Sequence, residues 1–244
     1  ITLMPVTGEV TYARGVESDQ TSGLWSYSDR SKEVVKPGYY ATHLLRYNVD
    51  VELTATKRVG FHKYTFNQKE NAAVVFDLQN GGCWDSPTKA YINKVDDKTI
   101  EGYRFSSGWA NDQRVFFVAE FSEPITSLDV IVDRGEAVAD KGEGKIVYAR
   151  ANVDAQKPVY VKVALSPTSI ENAKLNMQSE LPGWDFEGTI AQADQAWEKA
   201  LAKVEMESAD PKSKKIFYTA LYHTMVAPSE FCDVNGDYYG ADHQ

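Results

Sequence analysis

The 244-residue sequence predicts a mainly β fold, an antiparallel β-sandwich that runs into α-helices near its C-terminal end. Three observations carry this. Apolar and polar residues alternate with period two in several stretches of the first two thirds. Short apolar runs there are separated by turn-forming residues. After Leu165 the apolar period changes to that of a helix.

In chain order, Ile1-Thr2-Leu3-Met4-Pro5 reads as a strand. Val49, Val51, Leu53 and Ala55 alternate with Asp50, Glu52, Thr54 and Thr56, which predicts a strand with one buried face. Val159, Val161, Val163 and Leu165 repeat the pattern against Tyr160, Lys162 and Ala164. Between them, residues 72–76, 115–121, 128–132 and 146–149 are apolar runs of strand length. Asn80-Gly81-Gly82, Asp96-Asp97 and Gly142-Glu143-Gly144 supply the turns. Strands at short spacing with no helical pattern between them argue for a sandwich rather than βαβ units.

Beyond Leu165, Ser166-Pro167-Thr168 opens a helix, and Thr168 with Glu171 has capping-box spacing. Ile170, Ala173 and Met177 line one face. A second helix follows Pro182-Gly183, with Ile190, Ala193, Trp197, Ala200, Leu201 and Val204 at helical intervals. A third begins at Asp210-Pro211, an Asp cap with Pro in the first turn, and ends at Pro228. Its Ile216, Phe217, Ala220, Leu221 and Thr224 lie on adjacent helical rows. The expected division is a β-domain over residues 1–165, a helical linker over 166–208, and over 209–244 the start of another, all-helical domain. The absence of an initiator Met and the abrupt end at Ala241-Asp242-His243-Gln244 suggest a piece of a longer polypeptide.

Composition narrows the function classes. A chain of this length can bury about 70% of the surface its unfolded form exposes, and 43% hydrophobic with 25% charged residues is ordinary for a globular protein. The net charge of −9 repels phosphate backbones and no basic run offsets it, which argues against nucleic-acid binding. No apolar stretch approaches the roughly 20 residues of a membrane helix. Cys83 and Cys232 are isolated, lack metal-ligand spacing, and read as free thiols.

Candidate chemistry is sparse. Asp233-Val234-Asn235-Gly236-Asp237 resembles the start of a calcium loop, but an EF-hand needs Gly at the sixth place and Glu at the twelfth, where Tyr238 and Gln244 stand. A tight Asn-Gly turn explains it better. His43, His62, His223 and His243 show no ligand spacing; the first two fall in strand-like segments and read as structural. Glu101, Asp112 and Asp85 border turns, yet nothing singles out an acid–base pair. No GxSxG, HExxH, P-loop or strand-to-helix GxGxxG occurs. Trp84 in Gly82-Cys83-Trp84-Asp85 and Trp109 in Ser107-Gly108-Trp109-Ala110 sit beside small residues in inter-strand loops. Small neighbours leave an indole face open, as a sugar platform requires. The alternative is that both rings plug the ends of the sandwich.

Several strings resemble glycoside hydrolase family 92, the exo-acting α-mannosidases. They are Gly38-Tyr39-Tyr40 with Val49-Asp50-Val51-Glu52-Leu53-Thr54-Ala55-Thr56, then Arg58-Val59-Gly60-Phe61-His62-Lys63-Tyr64-Thr65-Phe66. Gly102-Tyr103-Arg104 with Ser107-Gly108-Trp109-Ala110 and Val118-Ala119-Glu120-Phe121 belong with them. So do Lys215-Ile216-Phe217-Tyr218-Thr219-Ala220-Leu221-Tyr222-His223-Thr224 and Asp233-Val234-Asn235-Gly236-Asp237-Tyr238; Leu3-Met4-Pro5 and Thr7-Gly8-Glu9 also fit. The resemblance runs over nearly the whole chain, in order.

It implies a galactose-mutarotase-like supersandwich, linker helices and the first helix of an (α/α)6 barrel. It further implies a secreted, periplasmic or cell-surface enzyme that removes terminal α-mannosides of N-glycans or mannan with inversion, aided by calcium. The family's acid, base and most calcium contacts lie on the barrel, so no catalytic or metal residue transfers to this chain. By the same analogy Trp84 and Trp109 contribute to a mannose-glycan pocket at the rim facing the barrel of the same polypeptide, with Asp242 a weaker contributor. A free-standing carbohydrate-binding module and a scaffold that never touches sugar are the competing readings. A free module would have no use for an exposed stripe at Ile216, Phe217 and Leu221.

Overall fold

The computed structural model describes residues 1–19, 21–80, 84–227 and 229–240. The strands are β1 (Thr2–Val6), β2 (Val34–Lys36), β3 (Tyr39–Leu44), β4 (Val49–Ala55), β5 (Val59–Phe66), β6 (Ala73–Asp77) and β7 (Ser86–Lys94). They continue as β8 (Thr99–Ser107), β9 (Gln113–Phe121), β10 (Ile125–Val132), β11 (Ala137–Ala139), β12 (Lys141–Gly144), β13 (Val147–Val153) and β14 (Val159–Ser166). Every pairing between them is antiparallel. One sheet runs β1-β6-β13-β10-β11, the other β12-β7-β8-β9-β14-β5-β4-β3-β2.

The two sheets face each other across a core that includes Val74, Phe76, Ile92, Phe117, Phe121, Leu128 and Val161. Each lies on the inward side of its strand, as the period of two demands. Stacked Phe76 and Phe117, with centroids 6.0 Å apart, join β6 of the small sheet to β9 of the large one.

Helices α1 (Ile170–Glu180), α2 (Phe186–Leu201) and α3 (Pro211–Thr224) follow the last strand. α1 and the start of α2 lie on the outer face of the large sheet, where Val59, Phe61, Val118, Ala164, Ala173, Met177, Leu181 and Phe186 form a second core. This corrects the expectation of one buried face for β14: Lys162 and Ala164, on its outward side, are buried too. The Lys162 ammonium is accommodated because it donates to the Leu181 carbonyl, pairs with Glu120 and sits 4.3 Å from the centre of the Trp184 ring.

Three local expectations change. Ser169, not Thr168, caps α1, its side chain accepting from the Asn172 amide. Gly142-Glu143-Gly144 is not a turn but belongs to β12, which pairs with β7 at the edge of the large sheet. The second helix stops at Leu201, short of Val204. The Asp96-Asp97 turn between β7 and β8 and the Asp210 cap of α3 stand where the sequence puts them. Asn80-Gly81-Gly82 is described only at Asn80, and Pro228 lies outside the described residues. No described helix is long and apolar enough to cross a membrane.

Candidate functional site

β7 and β8 meet as a hairpin, and their register pairs Ser86 with Ser107. One step further out this places Asp85 opposite Gly108, and two steps out Trp84 opposite Trp109. The ring centroids stand 6.1 Å apart with planes at 80°, an edge-to-face pair. Trp84 is 72% exposed and Trp109 88% exposed. Neither ring plugs the sandwich. Both stand on its rim, and large aromatic surface left in water at one place is a feature that asks for a ligand or a partner.

The floor of the corner comes from the start of β9 and from the terminal segment 229–240. Asp112, Gln113, Arg114, Phe231 and Tyr239 line a cavity of about 460 Å³ with the two Trp residues. Arg114 bonds Asp112 at 3.0 and 3.2 Å, and its guanidinium sits 4.7 Å from the centre of the Tyr239 ring and 5.3 Å from that of Phe105. The Asp112 contact raises the Arg114 pKa above its already high ordinary value, so the cation persists at every physiological pH. Tyr239 donates to Asp112 at 3.3 Å.

The terminal segment is held from below at two places. Arg58, in the β4–β5 turn, donates to the Cys232 carbonyl at 2.6 Å and to Glu180 at 2.6 Å, and Lys57 reaches Glu230 at 2.7 Å. Lys57, foremost by its hydrogen bond, draws the Glu230 carboxyl below the ordinary carboxylate range. The second anchor is Asp233, which is buried and accepts from Ser166, Thr168, Asn172 and Asn176. Asn172 and Asn176 are four apart on α1 and so share a face. The Asn176 side chain also accepts the Val234 amide. The predicted tight turn is present: Gly236 has φ +91°, a conformation glycine adopts without strain, and its amide reaches the Asp233 carbonyl at 2.9 Å.

Thus the apparent calcium-loop carboxylate is occupied by neutral donors. Among the described residues no group of three or more His, Cys, Asp or Glu is placed to hold a metal. The other candidate carboxylates are engaged as well: Asp85 pairs with Arg104 at 2.6 Å, Asp112 with Arg114, and Glu101, within β8, accepts from Asn93 at 3.4 Å. His43 bonds Asp50 and His62 bonds Tyr64, each at 2.7 Å, and His223 lies exposed on α3. Asp242, His243 and Cys83 lie outside the described residues. Cys232 is a free thiol.

The structure therefore brings Trp84 and Trp109 together and adds Arg114, Phe231 and Tyr239, which sequence reasoning did not select. Arg114 carried a signal, standing two residues after Asp112 at the start of β9. Phe231 and Tyr239 carried none, since only the long-range docking of the terminal segment brings them here.

The chain matches two family models: the glycosyl hydrolase family 92 N-terminal domain over residues 1–166, and the glycosyl hydrolase family 92 catalytic domain over residues 172–244. Among solved structures it is similar to the family GH92 α-mannosidase BT3965 from Bacteroides thetaiotaomicron. The identity is 32% and the TM-score 0.94, over 99% of this chain and 34% of that one. The same protein in complex with mannoimidazole gives 32% identity and TM-score 0.93, over 99% and 33%. The inverting mannosidase BT2199 from the same organism shares the fold at 22% identity and TM-score 0.80, over 98% and 32%. The chain spans about a third of the length of these proteins. No curated protein sequence matches.

Proposed function

Because the chain belongs to glycoside hydrolase family 92, we propose that it forms the N-terminal β-sandwich, the linker helices and the beginning of the barrel of an exo-acting α-mannosidase. In this reading the full-length enzyme is secreted, periplasmic or cell-surface bound. It removes terminal α-mannosides of N-glycans or mannan with inversion of configuration.

The exposed corner of Trp84 and Trp109 carries the reading for this part of the enzyme. Two apolar walls at 80° suit the C–H faces of a pyranose, while Asp112 and Arg114 offer hydrogen bonds to its hydroxyls. The segment binds and orients sugar rather than moving protons. Inversion needs a protonated acid and an ionised base about 6.5–9.5 Å apart. Asp85 and Asp112 are each paired with a guanidinium, at 2.6 and 3.0 Å. In this reading the acid and the base come from the rest of the polypeptide. Calcium enters the proposal through the family alone; among the described residues no group of three or more His, Cys, Asp or Glu is placed to hold a metal, and no step on this chain runs through one.

The third helix supports the link to a barrel. None of its residues is buried, and Ile216 is 59% exposed. A stand-alone binding module has no use for that surface, whereas a neighbouring helix of the same polypeptide would cover it. The test is mannose release from α-1,2-, α-1,3-, α-1,4- and α-1,6-mannobiose. The full-length enzyme turns over at least one, and residues 1–244 turn over none, with or without calcium. Trp84→Ala and Trp109→Ala in the full-length enzyme each lower kcat/KM by about 10- to 100-fold, corresponding to about 1.5–3 kcal/mol of lost apolar contact. Unchanged turnover in both variants would leave the chain as a scaffold.

A further inference from the structure

Beneath the exposed corner lies a buried ion pair that the binding reading does not use. Arg104, in the middle strand of the β7–β8–β9 group, bonds Asp85 at 2.6 Å, and the two side chains are only 7% and 5% exposed. The same guanidinium donates to the carbonyls of Leu78 at 2.8 Å and Gln79 at 3.2 Å. One cation thus grips the chain on both sides of the stretch that delivers Trp84: at residues 78–79 before it and at Asp85 directly after it.

Asp85 also seats the other tryptophan. Gly108, the residue before Trp109, lies so close to it that an added Cβ would meet the Asp85 Cα at 2.8 Å and its Cβ at 3.0 Å. Asp85 is therefore covalently next to one indole and in van der Waals contact with the neighbour of the second. Its own position is set by a charge-assisted contact from a buried, planar donor.

We propose that Asp85, clamped by Arg104, is a positioning residue that fixes the angle and spacing of the Trp84–Trp109 corner for the mannosidase reaction. The inference rests on the sugar-binding reading of that corner. A corner of two exposed rings holds its geometry only if the backbone on each side is fixed, and this pair fixes both sides from inside the sandwich.

The experiment is a double-mutant cycle in the full-length enzyme, using the mannobiose it cleaves fastest. Asp85→Asn lowers kcat/KM at least tenfold in the wild-type background and less than twofold when Trp84→Ala and Trp109→Ala are already present. Gly108→Ala, which keeps both charges of the pair but displaces Asp85 through its added Cβ, shows the same pattern and serves if Asp85→Asn fails to fold. Equal losses in both backgrounds, or a change under twofold in wild type for both variants, overturn the positioning role. If the double Trp variant keeps full activity, the binding reading itself fails. If it loses activity while Asp85→Asn and Gly108→Ala do not, only the positioning role falls.

Discussion

Replacing Asp233 with Ala removes the main anchor of the segment that carries Phe231 and Tyr239 to the Trp corner. Asp233 is 1% exposed, and its carboxylate accepts from Ser166 at 2.8 Å, Asn176 at 2.7 Å, Asn172 at 3.1 Å and Thr168. A bond to a charged acceptor contributes about 1.5–3 kcal/mol, but the donors have fallback partners. Ser166 and Thr168 face each other at 3.1 Å, Asn172 reaches Asp237 at 2.9 Å, and Asn176 reaches the Leu165 carbonyl at 2.9 Å. Taking about 1 kcal/mol for each weakened donor, and subtracting about 1 kcal/mol for the desolvation of the carboxylate that is no longer required, leaves about 3 kcal/mol. That is about two decades in the local opening equilibrium. Hydrogen exchange at Val234, whose amide donates to Asn176 at 2.9 Å, then accelerates about 100-fold in residues 1–244. Asp233→Asn keeps an oxygen for the three donors on Oδ2 and turns its amide on Asn176, so about tenfold is expected. Protection at Val234 within threefold of wild type in Asp233→Ala would refute the anchor.

The remaining predictions concern the supports of the fold. Desolvation lowers the pKa of half-buried His62 to about 4 from an ordinary 6.5, so the unfolded chain protonates first as pH falls. Stability therefore drops through the window from about pH 6.5 to 4 by at most about 1.4 kcal/mol per unit, and His62→Phe flattens that slope in denaturant titrations at stepped pH. The Glu230 carboxyl is lowered chiefly by Lys57, so its contact stabilises the segment fully above the ordinary carboxylate pKa. That support is lost as pH falls through the lowered value. Lys57→Ala weakens this pH dependence of proteolytic nicking at residues 229–240, with Arg58 still 3.3 Å from Glu230. Arg58→Ala takes the cation from Glu180, 14% exposed, leaving it the Thr56 hydroxyl and the residue-58 amide, and frees the Cys232 carbonyl; a loss of about 2–3 kcal/mol follows, with Arg58→Lys partly restoring the melting temperature.

The strands and helices were legible because each is written in local periods: Val49 and Val51, or Ile170, Ala173 and Met177, share a face through chain geometry alone. The family strings were legible for the same reason, being contiguous. Where local cues misled, a distant partner decided. Gly142-Glu143-Gly144 resembles a turn, yet β7 supplies it with a ladder. Thr168 has the spacing of a cap, yet Asp233, 65 residues away, claims its hydroxyl and leaves Ser169 to cap α1.

The candidate site divides along the same line. Trp84 and Trp109 stood out singly, each beside small residues, and the sequence could not say whether they were buried or joined. The β7–β8 register makes them neighbours, and Asp85 against Gly108 sets their spacing. In Asp233-Val234-Asn235-Gly236-Asp237 the alternating carboxylates and amides invite a cation, but four uncharged donors from β14 and the α1 region fill the first position. Period, caps and turns depend on residues a few places apart, and the sequence alone determined them. Which indole faces which, and what a buried carboxylate accepts, depend on strand register and docking across tens of residues, and only the folded chain decides those.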